Sequence, residues 1–233
     1  MINEVIILAG GLGTRLRSVV ADQPKCMAAV DGKPFLHYVI SWLEQQGINK
    51  FIFSLGYKHE LIEDYIKDQY SNLNVQYAIE QEPLGTGGAI KLACAKSTEK
   101  NVLIVNGDTL FSIDVLALAA LHERHQADCT IALKPMVDFE RYGVVTLDDK
   151  GKISSFKEKK FYASGLINGG IYALNVESFL KKPFPDKFSF EKNYLEQYYN
   201  ERKMYGLVQD KYFIDIGIPE DYARAQHELK IKN

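Results

Sequence analysis

The sequence predicts an α/β fold, a Rossmann-like three-layer α/β/α sandwich around a mostly parallel, mixed central sheet. Short apolar runs such as Val5-Ile6-Ile7-Leu8, Phe51-Ile52-Phe53-Ser54-Leu55 and Val102-Leu103-Ile104-Val105 read as strands buried on both faces. Between them lie segments with apolar residues at helical spacing. Strand and helix alternate, and a repeated strand–helix–strand unit closes right-handed with helices on both faces of the sheet.

The first strand runs straight into glycines. Residues 35–43 form a helix, with Pro34 where a first helical residue tolerates proline and Gly47 as a natural C-cap. Residues 51–55 are the second strand. A helix follows over 60–70, with Leu61, Ile62, Tyr65 and Ile66 facing inward. Residues 75–79 are the third strand, 85–95 the third helix and 102–105 the fourth strand. After Asp108 the pattern changes. A helix over 114–126 is followed by strands at 129–133 and 143–147, and Asp148-Asp149-Lys150-Gly151 turns the chain into a strand at 152–156. A strand at 167–174 leads to short helices near Val176 and Phe190. The last strand-like run, 212–217, precedes a helix opened by Pro219-Glu220-Asp221, with proline and acids where a helix N-terminus favours them.

Composition narrows the class. The 233 residues are 46% hydrophobic and 25% charged, as in ordinary soluble globular proteins. A formal net charge of -2 leaves no electrostatic footprint for nucleic acid or an anionic membrane. No apolar run approaches the roughly 18 residues of a membrane span. The opening Met1-Ile2-Asn3-Glu4 lacks the basic region of a secretory signal. Cys26, Cys94 and Cys129 lie far apart with no C-x-x-C pair, which speaks against zinc and disulfides and for a cytoplasmic protein.

The chemistry starts at Leu8-Ala9-Gly10-Gly11-Leu12-Gly13-Thr14-Arg15-Leu16, with Pro24-Lys25 beyond it. Glycines after a buried strand let backbone N–H groups approach an anion, because no Cβ intervenes. Arg15 and Lys25 supply the positive charge a polyphosphate needs. The spacing is neither a Walker A loop, which requires G-K-[ST], nor a dinucleotide fingerprint, which requires glycine where Leu16 stands. Asn106-Gly107-Asp108 ends a buried strand, placing a carboxylate where it can hold a cation over phosphates. Asp215 is a lone acid in Phe213-Ile214-Asp215-Ile216-Gly217, so burial should pair it or bind it to a metal. In Glu80-Gln81-Glu82-Pro83-Leu84-Gly85-Thr86-Gly87-Gly88, Gly85 and Gly87 would let a flat base lie against backbone. Glu80 can accept from the two adjacent donors of guanine, whereas uracil shows one donor flanked by acceptors. The five histidines show no triad or metal spacing.

The glycine loop with Pro24-Lys25 resembles that of the sugar-1-phosphate nucleotidyltransferases, and the likeness extends over nearly the whole chain. It implies the nucleotide-diphospho-sugar transferase fold and one domain over residues 1–233, with a nucleotide half over 1–110 and a sugar-phosphate half over 111–233. On that likeness the nucleotide would meet Leu8, Ala9, Gly10, Gly11, Gly13, Thr14, Arg15, Lys25, Glu80, Pro83, Gly85, Thr86, Gly107 and Asp108. The sugar phosphate would meet Tyr142 and Gly143 of Y-G-V, Glu158 and Lys159 of F-x-E-K, and Asn168 and Gly169 of N-[AG]-G-[IV]-Y. Mg²⁺ would sit on Asp108 and Asp215, and catalysis would rest on Arg15, Lys25, Asp108 and Asp215. Cys26 departs from the family's P-K-P, loosening the loop beside Lys25.

Within the family the sequence looks most like the branch that guanylylates D-glycero-α-D-manno-heptose 1-phosphate, through Glu80 to Gly88, Asp138-Phe139-Glu140-Arg141-Tyr142-Gly143, Gly165-Leu166-Ile167-Asn168-Gly169-Gly170, Lys187-Phe188-Ser189-Phe190-Glu191 and Tyr212 to Tyr222. The expected partners are therefore GTP and a sugar 1-phosphate, with no nucleic acid and no membrane, in a monomer or homodimer. Mannose 1-phosphate with GTP, an amino-sugar 1-phosphate with UTP, and a non-catalytic nucleotide-sugar sensor are the competing readings. A sugar 1-phosphate is already anionic and needs no general base, so the task is positioning and charge neutralisation.

Overall fold

The computed structural model describes residues 2–11, 16, 20 and 22–230. The chain begins with β1 (Glu4–Leu8), the short hairpin β2 (Ala29–Val30) and β3 (Lys33–Pro34), α1 (Phe35–Gln45), β4 (Lys50–Leu55) and α2 (His59–Gln69). Then come β5 (Asn74–Ile79), α3 (Gly85–Cys94), β6 (Asn101–Asn106), β7 (Thr109–Phe111) and α4 (Val115–Arg124). The second half holds β8 (Cys129–Phe139), β9 (Val144–Leu147), β10 (Ile153–Lys157), β11 (Tyr162–Asn175) and α5 (Val176–Leu180). A π-helical turn, Glu191–Leu195, runs into α6 (Glu196–Tyr198), followed by β12 (Met204–Val208), β13 (Phe213–Asp215) and α7 (Pro219–Glu228).

The described strands build a nine-stranded mixed sheet with a path β10-β9-β11-β6-β1-β4-β5, while β8 pairs with β11 and β12. Its β6-β1-β4-β5 portion is parallel, with Ile7 between Phe53 and Val105. In the second half the joins around β11 are antiparallel and only β8–β12 is parallel. Connection length explains the difference: helical crossovers link the early strands, and short loops between β9, β10 and β11 permit only antiparallel neighbours.

Alternate side chains of β1 enter opposite cores. Val5 and Ile7 pack with Phe53, Leu36 and Ile62, whereas Ile6 packs with Ile52, Ile90 and Phe190. Burial on both faces is what the uninterrupted apolar run foretold. Two local expectations fail. Leu61 is 45% exposed while Ile62 and Ile66 are buried, because Leu61 lies one position off the inward stripe of α2. Pro34 is the residue before α1, extended at ψ 143° and paired in β3, rather than its first helical residue. β12 has no strand signal in the sequence, because Gly206 interrupts its apolar run; a Cβ there would come within 2.5 Å of the Leu133 side chain. No described helix is long and apolar enough to cross a membrane.

Candidate active site

The parallel strands all end on one side, so their carboxyl ends open on a common crevice. It is a cavity of about 790 Å³ lined by Leu8, Ala9, Gly10, Gly11, Lys25, Glu80, Pro83, Gly85, Thr86 and Asp108. Gly13, Thr14 and Arg15 lie outside the described residues. Gly107 does not line the cavity; its N–H donates to Leu8 O at 2.9 Å and ties β6 to β1 beneath it. At Gly10 a Cβ would approach Glu80 Oε1 to 3.0 Å and Gly56 N to 3.1 Å, so bare backbone lets three strand ends converge. Cys26, Ser54, Gly56, Tyr57, Asn106 and Gly217 also line the cavity and were not anticipated. Ser54 and Asn106 could have been found from position alone, since each pairs with Leu8 at the end of a neighbouring strand.

Lys25 Nζ stands 2.5 Å from Asp108 Oδ2 and 3.5 Å from Asp215 Oδ1. Two acids distant in sequence meet because β7 and β13 pair, with Asp215 opposite Thr109, and because Ile216 N donates to Asp108 O at 3.1 Å. Asp215 Oδ1 accepts from Gly217 N at 2.8 Å, and the Tyr142 hydroxyl donates to Oδ2 at 3.4 Å. Burial, and then the charge of Asp108, push the Asp215 carboxyl above its ordinary value, against the pull of Lys25 and the Gly217 amide. The ammonium thus marks a point on which two mutually repelling carboxylates converge. That donor set fits a divalent cation that keeps water and phosphate among its ligands. Among the described residues no group of three or more His, Cys, Asp or Glu is gathered, so the remaining ligands would come from substrate and water.

Glu80 follows β5, where its N–H donates to Leu55 O at 2.8 Å. Its Oε2 accepts from Leu84 N at 2.9 Å, closing the 80–84 loop on itself. Burial raises the Glu80 carboxyl above its usual range, and the Leu84 amide opposes that rise. The glycines of this loop have a reason other than the one expected. A Cβ on Gly87 would lie 2.2 Å from the Phe188 ring, one on Gly85 2.6 Å from Phe188 O, and one on Gly88 2.2 Å from Asp186 O. They make room for residues 186–188. Gly85, at φ +71°, also borders the cavity.

Tyr142, Gly143, Glu158, Lys159, Asn168 and Gly169 do not line the cavity. Tyr142 sits beside Asp215, and its neighbour Arg141 is ion-paired with Asp221 of α7. Asn168 accepts from Gly170 N and donates to the Tyr172 hydroxyl, both at 3.0 Å. Gly169 packs on Phe111, and Gly143 lets Lys157 O approach, since a Cβ there would stand 2.6 Å from that oxygen. Glu158 and Lys159 are exposed on the connection from β10 to β11. Among the described residues, the Leu8–Gly11 strand end, Lys25, the loop from Glu80 to Thr86 and both acids are therefore gathered, with Tyr142 at their edge, while Glu158 and Lys159 stand in solvent.

A fold with a glycine-rich strand end, a lysine and two acids at one crevice belongs to a recognised class. The Nucleotidyl transferase family model matches residues 4–231, and the chain belongs to that family. Within it, the chain is 53% identical to D-glycero-alpha-D-manno-heptose 1-phosphate guanylyltransferase of Aneurinibacillus thermoaerophilus, over 97% of this chain and 98% of that one. It is 31% identical to the mannose-1-phosphate guanylyltransferase of Mycobacterium tuberculosis, covering 97% of this chain and 64% of that protein. Its fold matches the crystal structure of HddC from Yersinia pseudotuberculosis complexed with GMP-PN at a TM-score of 0.87, with 39% identity over 98% of this chain and 100% of that chain.

Proposed function

We propose that this chain transfers GMP from GTP to D-glycero-α-D-manno-heptose 1-phosphate, giving GDP-heptose and pyrophosphate. The observation that carries the reading is a half-buried carboxylate, Glu80, in the same cavity as Lys25 and Asp108. A carboxylate held there accepts from guanine N1–H and the 2-amino group together, and repels the flanking carbonyls of uracil. The 53% identity to a heptose 1-phosphate guanylyltransferase supports the sugar.

The chemistry then needs alignment rather than proton abstraction. Backbone N–H groups at Gly10 and Gly11 receive the triphosphate, and Arg15 neutralises the departing pyrophosphate. Lys25 is given the α-phosphate under attack, which separates its task from that of Arg15. On the acceptor side Lys159 holds the incoming phosphate, while Glu158 and Asn168 take sugar hydroxyls and Tyr142 and Gly143 border the sugar. Asp108 and Asp215 are the residues that would hold Mg²⁺, which when bound supplies charge neutralisation at the phosphates. Three free, buried cysteines fit a reducing cytoplasm.

A second reading, mannose 1-phosphate as acceptor, is favoured by the 31% identity to a mannose-1-phosphate guanylyltransferase. Pyrophosphate release from four nucleoside triphosphates, each against heptose, mannose and amino-sugar 1-phosphates, separates them. The expected result is one dominant pair, GTP with the heptose 1-phosphate. Faster turnover with mannose 1-phosphate would move the chain to the second reading, and preference for UTP would remove the assignment of Glu80.

A further inference from the structure

We propose that Glu191 is a positioning residue for base selection, acting through Thr86 to hold the loop that aims Glu80 at the base. The proposal rests on the guanylyltransferase reading and deepens it. Glu191 opens the π-helical turn, far from the glycine loop in sequence, in a stretch that carries the branch likeness without any role assigned to this residue. Its Oε2 accepts from Thr86 Oγ1 at 2.7 Å and from Ser189 Oγ at 2.8 Å. Thr86 Oγ1 in turn accepts from Phe190 N at 2.9 Å. The hydroxyl proton of Thr86 is thereby spent inside the protein, although Thr86 borders the nucleotide cavity.

The same strap continues through the backbone. Phe188 N donates to Leu84 O at 3.0 Å, and Gly87 N donates to Phe188 O at 2.9 Å. Leu84 uses its other backbone group on Glu80, its N–H donating to Oε2 at 2.9 Å. Leu84 is thus clamped from both sides, by the 186–191 segment through its carbonyl and by the base-reading carboxylate through its amide. Glycine at 85, 87 and 88 admits that segment at distances no side chain would allow. A carboxylate distinguishes guanine from uracil only while both its oxygens face the base edge. If the loop is released, Glu80 can turn toward water and discrimination falls. Phe190 also packs edge-on against Tyr172 at 5.1 Å, so the strap is anchored in the core and not merely on the loop.

The test compares wild type with Thr86→Val, Thr86→Ser and Glu191→Gln, measuring kcat/KM for GTP and for UTP with one sugar 1-phosphate. Thr86→Val should lower the GTP-over-UTP ratio by about tenfold, the size of one lost hydrogen bond. The loss should fall on KM for GTP more than on kcat, and Thr86→Ser, which keeps the hydroxyl, should restore the ratio. Glu191→Gln keeps size and shape and should show the smaller loss of a neutral acceptor; it carries the test if Thr86→Val does not fold. A ratio unchanged in the folded variants overturns the positioning role. A wild-type protein that does not prefer GTP at all would instead overturn the guanylyltransferase reading beneath it.

Discussion

Lys25 and Lys159 are both assigned to phosphates, yet their surroundings differ. The Lys25 side chain is 12% exposed and touches two acids, whereas Lys159 lies in solvent on a connection between strands. The contrast extends to the two halves of the site. On the nucleotide side, parallel strands end together, and backbone groups at those ends form the cavity. Helical crossovers then lock each end in place. On the acceptor side, antiparallel strands joined by short loops leave the polar groups on side chains and hairpin connections. The half proposed to take the nucleotide is accordingly preorganised by packing, and overfilling its packed loop should damage fold and affinity together. In the acceptor half, side chains such as Lys159 should be separable from stability.

The largest effect expected is on Asp108→Asn. It removes one of the two converging carboxylates while keeping its shape, and should lower kcat by about 10³. Circular dichroism should be unaltered; a normal rate at saturating magnesium would remove Asp108 from the metal site.

Next comes Gly87→Ala. Helix propensity favours alanine by about 1 kcal/mol, but the new methyl would lie 2.2 Å from the Phe188 ring. That ring is 6% exposed and stacks on Phe184 at 4.5 Å, so it cannot swing aside. Overpacking wins, and urea unfolding should show a net loss of about 2 kcal/mol together with a raised KM for GTP. A variant as stable as the parent would show that the base loop is not packed as the contrast requires.

Lys159→Ala should raise KM for the sugar 1-phosphate about tenfold, with KM for GTP and the melting temperature unchanged. Should KM for GTP rise instead, Lys159 would belong to the other half.

The smallest effect is on pH. The Glu80 carboxyl lies above its usual range, so it protonates earlier than a solvated carboxylate as pH falls. KM for GTP should then rise several-fold on acidification through that range, while KM for UTP should not rise, because protonation also removes the repulsion of uracil's carbonyls. Stability should move the other way. A group whose folded pKa is raised binds its proton more tightly in the folded state, so this contribution to stability grows as pH falls. Parallel loss of GTP affinity and of stability on acidification would point to a group other than Glu80.

Local chemistry carried much of the fold into the sequence. The alternating apolar runs and helical stripes marked the elements that were anticipated, including the whole β6-β1-β4-β5 portion, because period and turn residues act over a few neighbouring positions. The elements that escaped were short or interrupted: β7 and the β2–β3 hairpin offer too few residues for a period to show, and β12 is broken by Gly206. The glycine loop was legible for the same local reason, since a strand ending in bare backbone is a statement about neighbours in the chain. Glu80, likewise, was readable as an acid at a strand end.

Tertiary structure alone decided how these parts meet. Strand-end position marked Asp108, and an apolar setting marked Asp215, but their approach depends on two short strands, β7 and β13, that pair across half the chain. Gly85 and Gly87 read as space for a ligand; Phe188 packs against them, as Asp186 does against Gly88, and Gly85 also borders the cavity. Thr86 read as a nucleotide contact, and its hydroxyl belongs to Glu191. The sequence by itself determined the alternation of elements, the glycine loop and the acids at strand ends, all properties of adjacent residues. The partners of those residues come from distant segments, and no local period encodes a contact made only when the chain closes on itself.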